Sequence, residues 1–282
     1  MGAMYGPVGE LREFRFSGAE SVSAPQRTTR TTMMSGLVRV QYAPRQRRSW
    51  TVDSEMLFSE DWAGLEAFAL LPRDYSRPCW FFSQAAQSSN MLTPSTSLLM
   101  DGHRSGGTFA GPSATLYTDP NGYRVHASAT DSGSSTITMA RSATAYSAAM
   151  PHGRVFTASL YFTRPAGNAD SSFRVQEIDQ TGTVTRTHYA VCRTDDALTR
   201  LHITATTQLT TVAVRLQAFK ALAIADPALT LTDRPLPFAV GRGCERATID
   251  FTGATLDRAT SHLHGRTGGR VESGSFVIME VG

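Results

Sequence analysis

Two pairs of polar residues have the residue types and the spacing of catalytic or metal-binding groups. Glu177 and Asp179 are two residues apart on a predicted strand, so both carboxylates would lie on one face of it. Two carboxylates that flank a sugar are the arrangement of a glycoside hydrolase. His262 and His264 have the same spacing, which suits two metal ligands, but a third ligand such as Asp257 would have to converge on them. We favour a solvated strand face for the first pair and a polar loop or interface for the second.

Sequence motifs of enzymes are absent. The chain contains no GxSxG, GxxxxGK[ST], HExxH or GxGxxG motif, so no sequence motif indicates a hydrolase, a nucleotide-binding protein or a zinc protease. Cys79, Cys192 and Cys244 are widely spaced and lack the Cys-x-x-Cys pattern of zinc and redox sites. We therefore predict that the protein is not an enzyme and that its cysteines are small buried apolar residues.

Tyrosines provide better candidates for binding chemistry. Aromatic rings can cover the CH-rich faces of sugar rings, while neighbouring amide, carboxylate and guanidinium groups bond the hydroxyls. Five tyrosines lie within residues 117–189, whereas all three tryptophans lie outside this range. Tyr161 and Tyr189 lie on predicted strands and are the candidate glycan-binding residues. The alternative is that both rings cover the edge of the core.

The composition is that of a globular protein. Of the 282 residues, 41% are hydrophobic and 18% are charged, a balance without the signature of disorder. The net charge of +3 is too small to indicate nucleic-acid binding, and we predict no sequence-specific nucleic-acid partner. No apolar stretch has the length of about 18 residues that a membrane span requires. Because no signal peptide is visible either, we expect a soluble protein without an export signal.

The predicted elements that must position these residues are mainly strands. From Val155 to Thr163, apolar residues alternate with Thr, Ser and Tyr, which is the period of a half-buried strand. Residues 173–178 and 184–192 form a predicted hairpin around the turn at 179–182, and two further strands lie at 201–205 and 212–218. Repeated strands at this spacing favour a sandwich or barrel over a βαβ fold.

One segment has helical spacing instead. Between Ser59 and Leu71, the apolar residues Trp62, Leu65 and Phe68 recur at three-residue intervals. Ser59 can cap the first turn, and proline at position 72 ends the pattern. We predict one short helix here.

Several sequence phrases, taken in order, resemble known families. Five features, in order, are RRSWTV at 47–52, the predicted helix, the aromatic run at 78–82, NMLTP at 90–94 and ESGSFVIMEVG at 272–282. In these features the chain resembles the minor tail and distal-tail-type proteins of long-tailed, siphovirus-like bacteriophages. Between these phrases, residues 150–162 and the segments 229–231 and 237–241 resemble a jelly-roll carbohydrate-binding module.

The resemblance implies a mainly β fold of two parts. One is a distal-tail-type β-barrel or sandwich with one short helix, split between residues 36–92 and 245–282. The other is a jelly-roll β-sandwich at 93–244, and a polar N-terminal arm occupies residues 1–35. In the resembled family a jelly roll often holds a structural calcium ion. Its ligands here are unknown, with Asp119 and Asp226 as guesses, and we predict no other cofactor.

The resemblance also implies a role in a virion. The protein would form a homo-oligomeric ring, with a hexamer favoured, in the tail tip or baseplate. It would contact the tail tube protein and other tail-tip proteins, and present the sandwich to a host cell-wall glycan. The alternative function is a carbohydrate-binding adhesin or an accessory module of a cell-wall-active enzyme.

A cluster of charges is the candidate ring interface. Arg45, Arg47 and Arg48 form the densest basic cluster, and Glu60 and Asp61 form an acidic patch. Contact with the phosphates of DNA passing through a tail would also explain the arginines. We favour ion pairs between subunits, because a ring needs complementary patches.

Overall fold

The computed structural model describes residues 2–23, 28–32, 38–42, 47–70, 79–113, 117–195, 197–250, 256–257 and 271–281. Within these ranges the chain forms twenty strands and three helices, which confirms the prediction of a mainly β fold. The strands are β1 (Ala3–Pro7), β2 (Arg12–Phe14), β3 (Phe16–Ser23), β4 (Thr28–Thr32), β5 (Val38–Tyr42), β6 (Ser49–Phe58), β7 (Cys79–Phe82), β8 (His103–Arg104), β9 (Ser128–Thr130), β10 (Thr136–Thr138), β11 (Ala148–Ala149), β12 (Val155–Thr163), β13 (Ser172–Ile178), β14 (Val184–Val191), β15 (Thr199–Thr206), β16 (Ala213–Phe219), β17 (Ala223–Thr230), β18 (Cys244–Asp250), β19 (Leu256–Asp257) and β20 (Val271–Glu280). The helices are α1 (Ser59–Leu70), α2 (Gln84–Ser89) and α3 (Pro94–Ser97).

The chain divides into two compact units. Unit 1 comprises Met1–Gly2, Phe14–Cys79 and Arg246–Gly282, and unit 2 comprises Ala3–Glu13 and Trp80–Glu245. This division differs from the predicted one at two places. Residues 80–92 belong to unit 2, because Trp80, Phe82 and Met91 are buried in its core. Residues 1–35 contain strands β1 to β4 where the sequence had suggested a polar arm.

Unit 1 is built from the first and last parts of the chain. Strand β6 pairs antiparallel with β20 on one side and with β3 on the other. On the far side of β20, β18 pairs with it in turn. The predicted helix is present as α1, and Trp62 on this helix meets Phe276 of β20 edge to face at 6.1 Å between ring centroids. Distant segments therefore complete one sheet.

Unit 2 contains a β-sandwich. Its larger sheet has the order β14-β13-β16-β10-β8, with β11 paired to β16, and its smaller sheet has the order β15-β12-β17-β9. The core between them is apolar because alternate residues of each strand face inward, as Phe156 and Leu160 do on β12 and Phe173 and Val175 do on β13. The predicted strand at 155–163 and the predicted hairpin are both present, but β12 is buried on both faces and not half-buried, since Thr157, Ser159 and Tyr161 are also buried.

Asn90 fixes the point where the chain enters the sandwich. Its side chain is fully buried and makes four hydrogen bonds. The amide nitrogen donates to the carbonyls of Pro227 at 3.1 Å and Ala239 at 2.9 Å, and the amide oxygen accepts from the N–H groups of Leu92 and Leu229, both at 3.1 Å. The NMLTP phrase is thereby tied to β17 and to the segment that leaves the sandwich.

Two of the three cysteines are fully buried. Cys192 and Cys244 have no exposed surface, and Cys79 is partly buried. Among the described residues, none of the helices combines the length and the apolar character needed to cross a membrane.

Candidate functional site

The larger sheet of the sandwich carries an ordered set of polar side chains on the side away from the core. On β13, Arg174 and Gln176 alternate with buried core residues, and on β16 Arg215 and Gln217 do the same. The register places Arg174 opposite Gln217 and Gln176 opposite Arg215. The two guanidinium groups and the two amide groups therefore alternate both along each strand and from β13 to β16. We call the surface formed by the outward residues of β8, β10, β13, β14 and β16 the outer face.

A single row of directly opposed residues crosses the outer face. Tyr189 of β14 lies opposite Arg174, Gln217 lies opposite Thr138 of β10, and Thr138 lies opposite His103 of β8. Because neighbouring strands are about 4.8 Å apart, the row is roughly 19 Å long. Tyr189 ends the row with 61% of its surface exposed.

Arg174 is held between aromatic rings. Its guanidinium carbon lies 3.7 Å from the ring centroid of Phe219 and 5.6 Å from that of Tyr189. Its Nε donates to the hydroxyl of Ser172 at 3.1 Å. Within the described residues, the two terminal nitrogens of Arg174 donate to no protein acceptor. The guanidinium is thus positioned but retains donors for a ligand.

Arg215 is more deeply buried, with 8% of its surface exposed. Its Nε donates to the carbonyl of Ala145 at 3.0 Å, one terminal nitrogen donates to the carbonyl of Thr144 at 2.9 Å, and the other donates to the amide oxygen of Gln176 at 3.3 Å. Burial lowers the pKa of Arg215, because it penalises the charged form. Arg215 therefore anchors the segment before β11 onto the outer face.

The amides of the outer face keep part of their hydrogen-bonding capacity. Gln217 donates from its amide nitrogen to the hydroxyl of Thr138 at 3.2 Å, and Gln176 uses its amide oxygen for Arg215. Within the described part of the chain, the amide oxygen of Gln217 and the amide nitrogen of Gln176 contact no protein partner. An exposed aromatic ring beside amide and guanidinium donors is suited to a hydroxyl-rich ligand.

The structure does not bring Tyr161 and Tyr189 together. Tyr161 lies on β12 of the smaller sheet, whereas Tyr189 lies on β14 of the larger one. The ring of Tyr161 is 8% exposed and stacks on Tyr123, with the centroids 5.2 Å apart. Burial raises its pKa, although Arg200 above the ring opposes this effect. Tyr161 is covered by a neighbouring ring, and Tyr189 is open to a ligand.

The two carboxylates named for calcium bind protein donors instead. Asp226 accepts from the backbone N–H groups of His126 and Ala127, at 2.9 Å and 3.0 Å, and from the hydroxyl of Tyr123 at 2.9 Å. Asp119 accepts from the N–H of Tyr123 at 2.8 Å in a turn. A structural calcium ion stays a prediction without assigned ligands. No group of three His, Cys, Asp or Glu side chains within the described ranges could hold a metal ion.

Glu177 is neither solvated nor paired with Asp179. Its carboxylate is fully buried and accepts from the N–H of Gln208 at 2.8 Å, from Nε2 of His188 at 2.7 Å and from the hydroxyl of Thr211. Burial acts to raise the pKa of Glu177, but these hydrogen bonds outweigh it and the pKa is lowered. Asp179 is a partly buried residue of the β13–β14 turn and accepts from the N–H groups of Thr181 and Thr183. The expected solvated strand face is therefore wrong for Glu177.

Arg48, one of the predicted interface residues, forms an ion pair within unit 1. Its Nε lies 3.0 Å from one carboxylate oxygen of Glu280, and a terminal nitrogen donates to the other oxygen at 3.4 Å. The guanidinium also lies 4.9 Å from the ring centroid of Trp50. This pair joins the residue before β6 to the end of β20, so it supports the sheet of unit 1.

The other predicted interface residues are spread over unit 1. Arg47 is exposed, and Asp61 accepts from the backbone N–H of Arg15 at 3.4 Å. Glu60 lies in α1, but its side chain is outside the described part of the structure. Arg45 also lies outside the described residues, as do His262 and His264. A subunit interface formed by these residues stays a prediction.

Sequence reasoning missed four of the residues on the outer face: Arg174, Gln176, Arg215 and Gln217. The alternation along each strand indicates that Arg215 and Gln217 share a face. The alternation does not indicate that β13 pairs with β16, because the two strands are more than thirty residues apart along the chain. A search for two predicted strands that both alternate polar donors with core residues would have found the set.

No protein-family model matches the chain, and no curated protein sequence matches it. Solved structures with some likeness include the enzymatically active domain of tailspike protein 4 from bacteriophage CBA120, at 10% identity and a TM-score of 0.36 over 51% of this chain and 21% of that one. Another is the CBM22-1 xylan-binding domain of Xyn10C from Paenibacillus barcinonensis, at 14% identity and a TM-score of 0.34 over 52% of this chain and 99% of that one. A third is the CBM22-1 and GH10 modules of xylanase 10B from Clostridium thermocellum, at 12% identity and a TM-score of 0.32 over 54% of this chain and 30% of that one. The chain thus spans less than a third of the tailspike and xylanase chains. With scores this low, the function has to be inferred from the chain's own residues.

Proposed function

We propose that this protein is a structural component of a bacteriophage tail tip or baseplate. It forms a ring at the distal end of the tail tube and displays a glycan-binding β-sandwich for attachment to the host. The observation that carries the glycan-binding part is the outer face, where the exposed ring of Tyr189 adjoins the alternating guanidinium and amide groups of β13 and β16.

The outer face meets three requirements of sugar recognition. The ring of Tyr189 provides an apolar surface for a pyranose face, and Gln176 and Gln217 provide both a donor and an acceptor for hydroxyl groups. All these side chains project from paired strands, and rigid strands position a binding site better than loops do.

The tail part of the proposal is supported by the ordered sequence phrases and by unit 1. An insertion into a host domain leaves the two halves of that domain to pair with each other. Strands β6 and β20 do so, with Val52 opposite Phe276 and Trp50 opposite Ile278. All four of these side chains are buried, so the pairing forms a core and not only an edge contact.

Glycan binding is tested with an array of host cell-wall glycans, followed by titration calorimetry on the best ligand. We expect Tyr189→Ala to weaken binding about five-fold or more, the equivalent of about 1 kcal/mol for one lost aromatic contact. Leu209→Ala is the matched control, because Leu209 is 81% exposed and borders a cleft of about 340 Å³ away from the outer face. If the Leu209 variant loses binding and the Tyr189 variant does not, the glycan site lies in that cleft.

The tail location is tested by electron microscopy of intact particles labelled with an antibody to the protein. We expect label at the tail tip and a closed ring of the purified protein. The competing function is a carbohydrate-binding adhesin or an accessory module of a cell-wall-active enzyme. A protein that binds glycan, stays monomeric at high concentration and is absent from purified virions would support that function instead.

A further inference from the structure

The outer face has positive charge that the described residues do not neutralise. Arg215 is 8% exposed, yet its three hydrogen-bond acceptors are two backbone carbonyls and an amide oxygen, all of them neutral. Arg174 bonds only the hydroxyl of Ser172 and stacks on aromatic rings. Buried charges in proteins are normally paired with an opposite charge, so the buried guanidinium of Arg215 without one is unusual.

Carboxylates near the outer face are engaged elsewhere. No Asp or Glu occupies an outward position on the described strands β8, β10, β13, β14 and β16, since Glu177 points into the core. At the borders, Asp101 pairs with Arg141 and Asp170 pairs with Lys220, each at 3.5 Å. The field over the centre of the outer face is therefore positive.

We propose that the outer face selects a negatively charged glycan, one that carries carboxylate or phosphate groups. This inference rests on the proposed glycan-binding function and names the class of ligand. Arg174 is the group that contacts the charge: its stacking on Phe219 fixes the plane of the guanidinium, and both of its terminal nitrogens are open for a two-pronged bond to an oxyanion.

Arg215 has a different part in this site. Three of its five N–H groups already bond backbone and amide oxygens and its side chain is buried, so it does not bond the ligand directly. It adds positive charge beside Arg174 in a partly desolvated setting, where electrostatic attraction is stronger than in water. It also holds the amide oxygen of Gln176, which leaves the amide nitrogen of Gln176 to face the ligand.

The test compares charged glycans with their neutral counterparts by titration calorimetry on the full-length protein. The probes are an oligogalacturonide, the same chain with its carboxylates reduced to alcohols, a ribitol-phosphate polymer, and its dephosphorylated units. We expect at least one charged probe to bind about ten-fold or more tightly than its neutral counterpart. Whether the carboxylate or the phosphate probe binds identifies the anionic group. The preference should shrink as salt is raised, because ions screen exposed charges.

Single substitutions test which residue causes the preference for charged glycans. We expect Arg174→Gln to weaken binding of the charged probe about ten-fold more than it weakens binding of the neutral counterpart, with Arg174→Lys in between because it keeps the charge without the planar fork. Arg186→Gln is the matched control, since Arg186 is an exposed arginine opposite Glu177 and not in the row of the outer face. Equal thermal unfolding midpoints show that each variant is folded.

The outcomes separate this inference from the function on which it rests. If neutral glycans of the array bind as tightly as charged ones, the charge preference is refuted and glycan binding stands. If Arg186→Gln lowers affinity as much as Arg174→Gln, overall charge attracts the ligand and the outer face is not the anion site. If no glycan binds at all, the proposed glycan-binding function itself fails.

Discussion

Replacing Glu177 by glutamine tests whether a buried charge holds the sandwich together. Glu177 lies on β13, and two of its three donors, the N–H of Gln208 and the hydroxyl of Thr211, belong to the connection between β15 and β16. The third donor, His188, lies on β14. One carboxylate thus joins three segments of unit 2.

The expected loss follows from this geometry. A glutamine is neutral, has one acceptor oxygen and presents an amide N–H₂ where the second carboxylate oxygen had been, so all three bonds lose their charge and His188 must change its tautomer or lose its partner. Hydrogen bonds to charged groups contribute roughly 1.5–3 kcal/mol each, and a buried donor without a partner costs about as much again. We expect Glu177→Gln to lower the free energy of unfolding by about 3 kcal/mol at pH 7.

The loss of unfolding free energy in Glu177→Gln should be larger at neutral pH than at acidic pH. The pKa of Glu177 is lowered in the folded protein, so its stabilising effect is complete above the unfolded pKa of about 4.3 and disappears as the pH falls through the folded pKa. The difference between the wild type and the glutamine variant should therefore be largest near neutral pH. It should shrink as the pH falls below about 4.3, because the carboxyl of the unfolded chain is protonated there before that of the folded protein.

The assay is urea-induced unfolding of both proteins between pH 3 and pH 8, followed by circular dichroism. Asp170→Asn is the matched control, because Asp170 is 76% exposed in its pair with Lys220 and should change stability by less than about 0.5 kcal/mol. A Glu177→Gln variant within 0.5 kcal/mol of the wild type at pH 7 would contradict the reasoning, as would a difference that grows on acidification.

Two further substitutions test the point where the chain enters and leaves the sandwich. Asn90→Ala removes four hydrogen bonds of a buried side chain and should destabilise unit 2 by about 3 kcal/mol in chemical unfolding. Asn121→Ala, in an exposed turn, is the control and should have little effect. Similar losses of stability in the two variants would refute the role of Asn90. Gly243→Ala would place a Cβ 2.0 Å from the carbonyl oxygen of Met91, so we expect a loss of about 2 kcal/mol or more, and an unchanged thermal midpoint would show that the backbone there can move.

Local sequence patterns predicted the elements of this fold well. The alternation from Val155 to Thr163 coincides with β12, and the capped helical pattern at Ser59 coincides with α1. Both signals are local, because a strand or helix that buries one face must repeat apolar residues at its own period. The assignment of Trp80 and Phe82 to a domain was less successful, since an apolar run does not specify which core it joins.

The candidate site was harder to predict than the elements. Tyr189 could be named from the sequence because it is a tyrosine on a predicted strand, and its role in binding stays a prediction. Arg174 and Gln217 become a pair only through the register of two strands that are far apart in the chain. The burial of Glu177 likewise depends on donors about thirty residues away. Such contacts are set by topology, and a single sequence does not specify topology.

The fold gives a physical reason why binding and assembly could vary independently. Asn90 bonds the carbonyl of Ala239, and the backbone N–H of Arg242 donates to the carbonyl of Asn90 at 2.9 Å, so the chain enters and leaves the sandwich at one place. The core of this segment also includes Met4 of β1 and Trp80 and Phe82 of β7, all of which belong to unit 2. The outer face lies on strands inside this segment, whereas β6 and β20 pair within unit 1. Substitutions at Arg174 or Tyr189 should therefore alter glycan selection and leave the sheet proposed to form the ring intact.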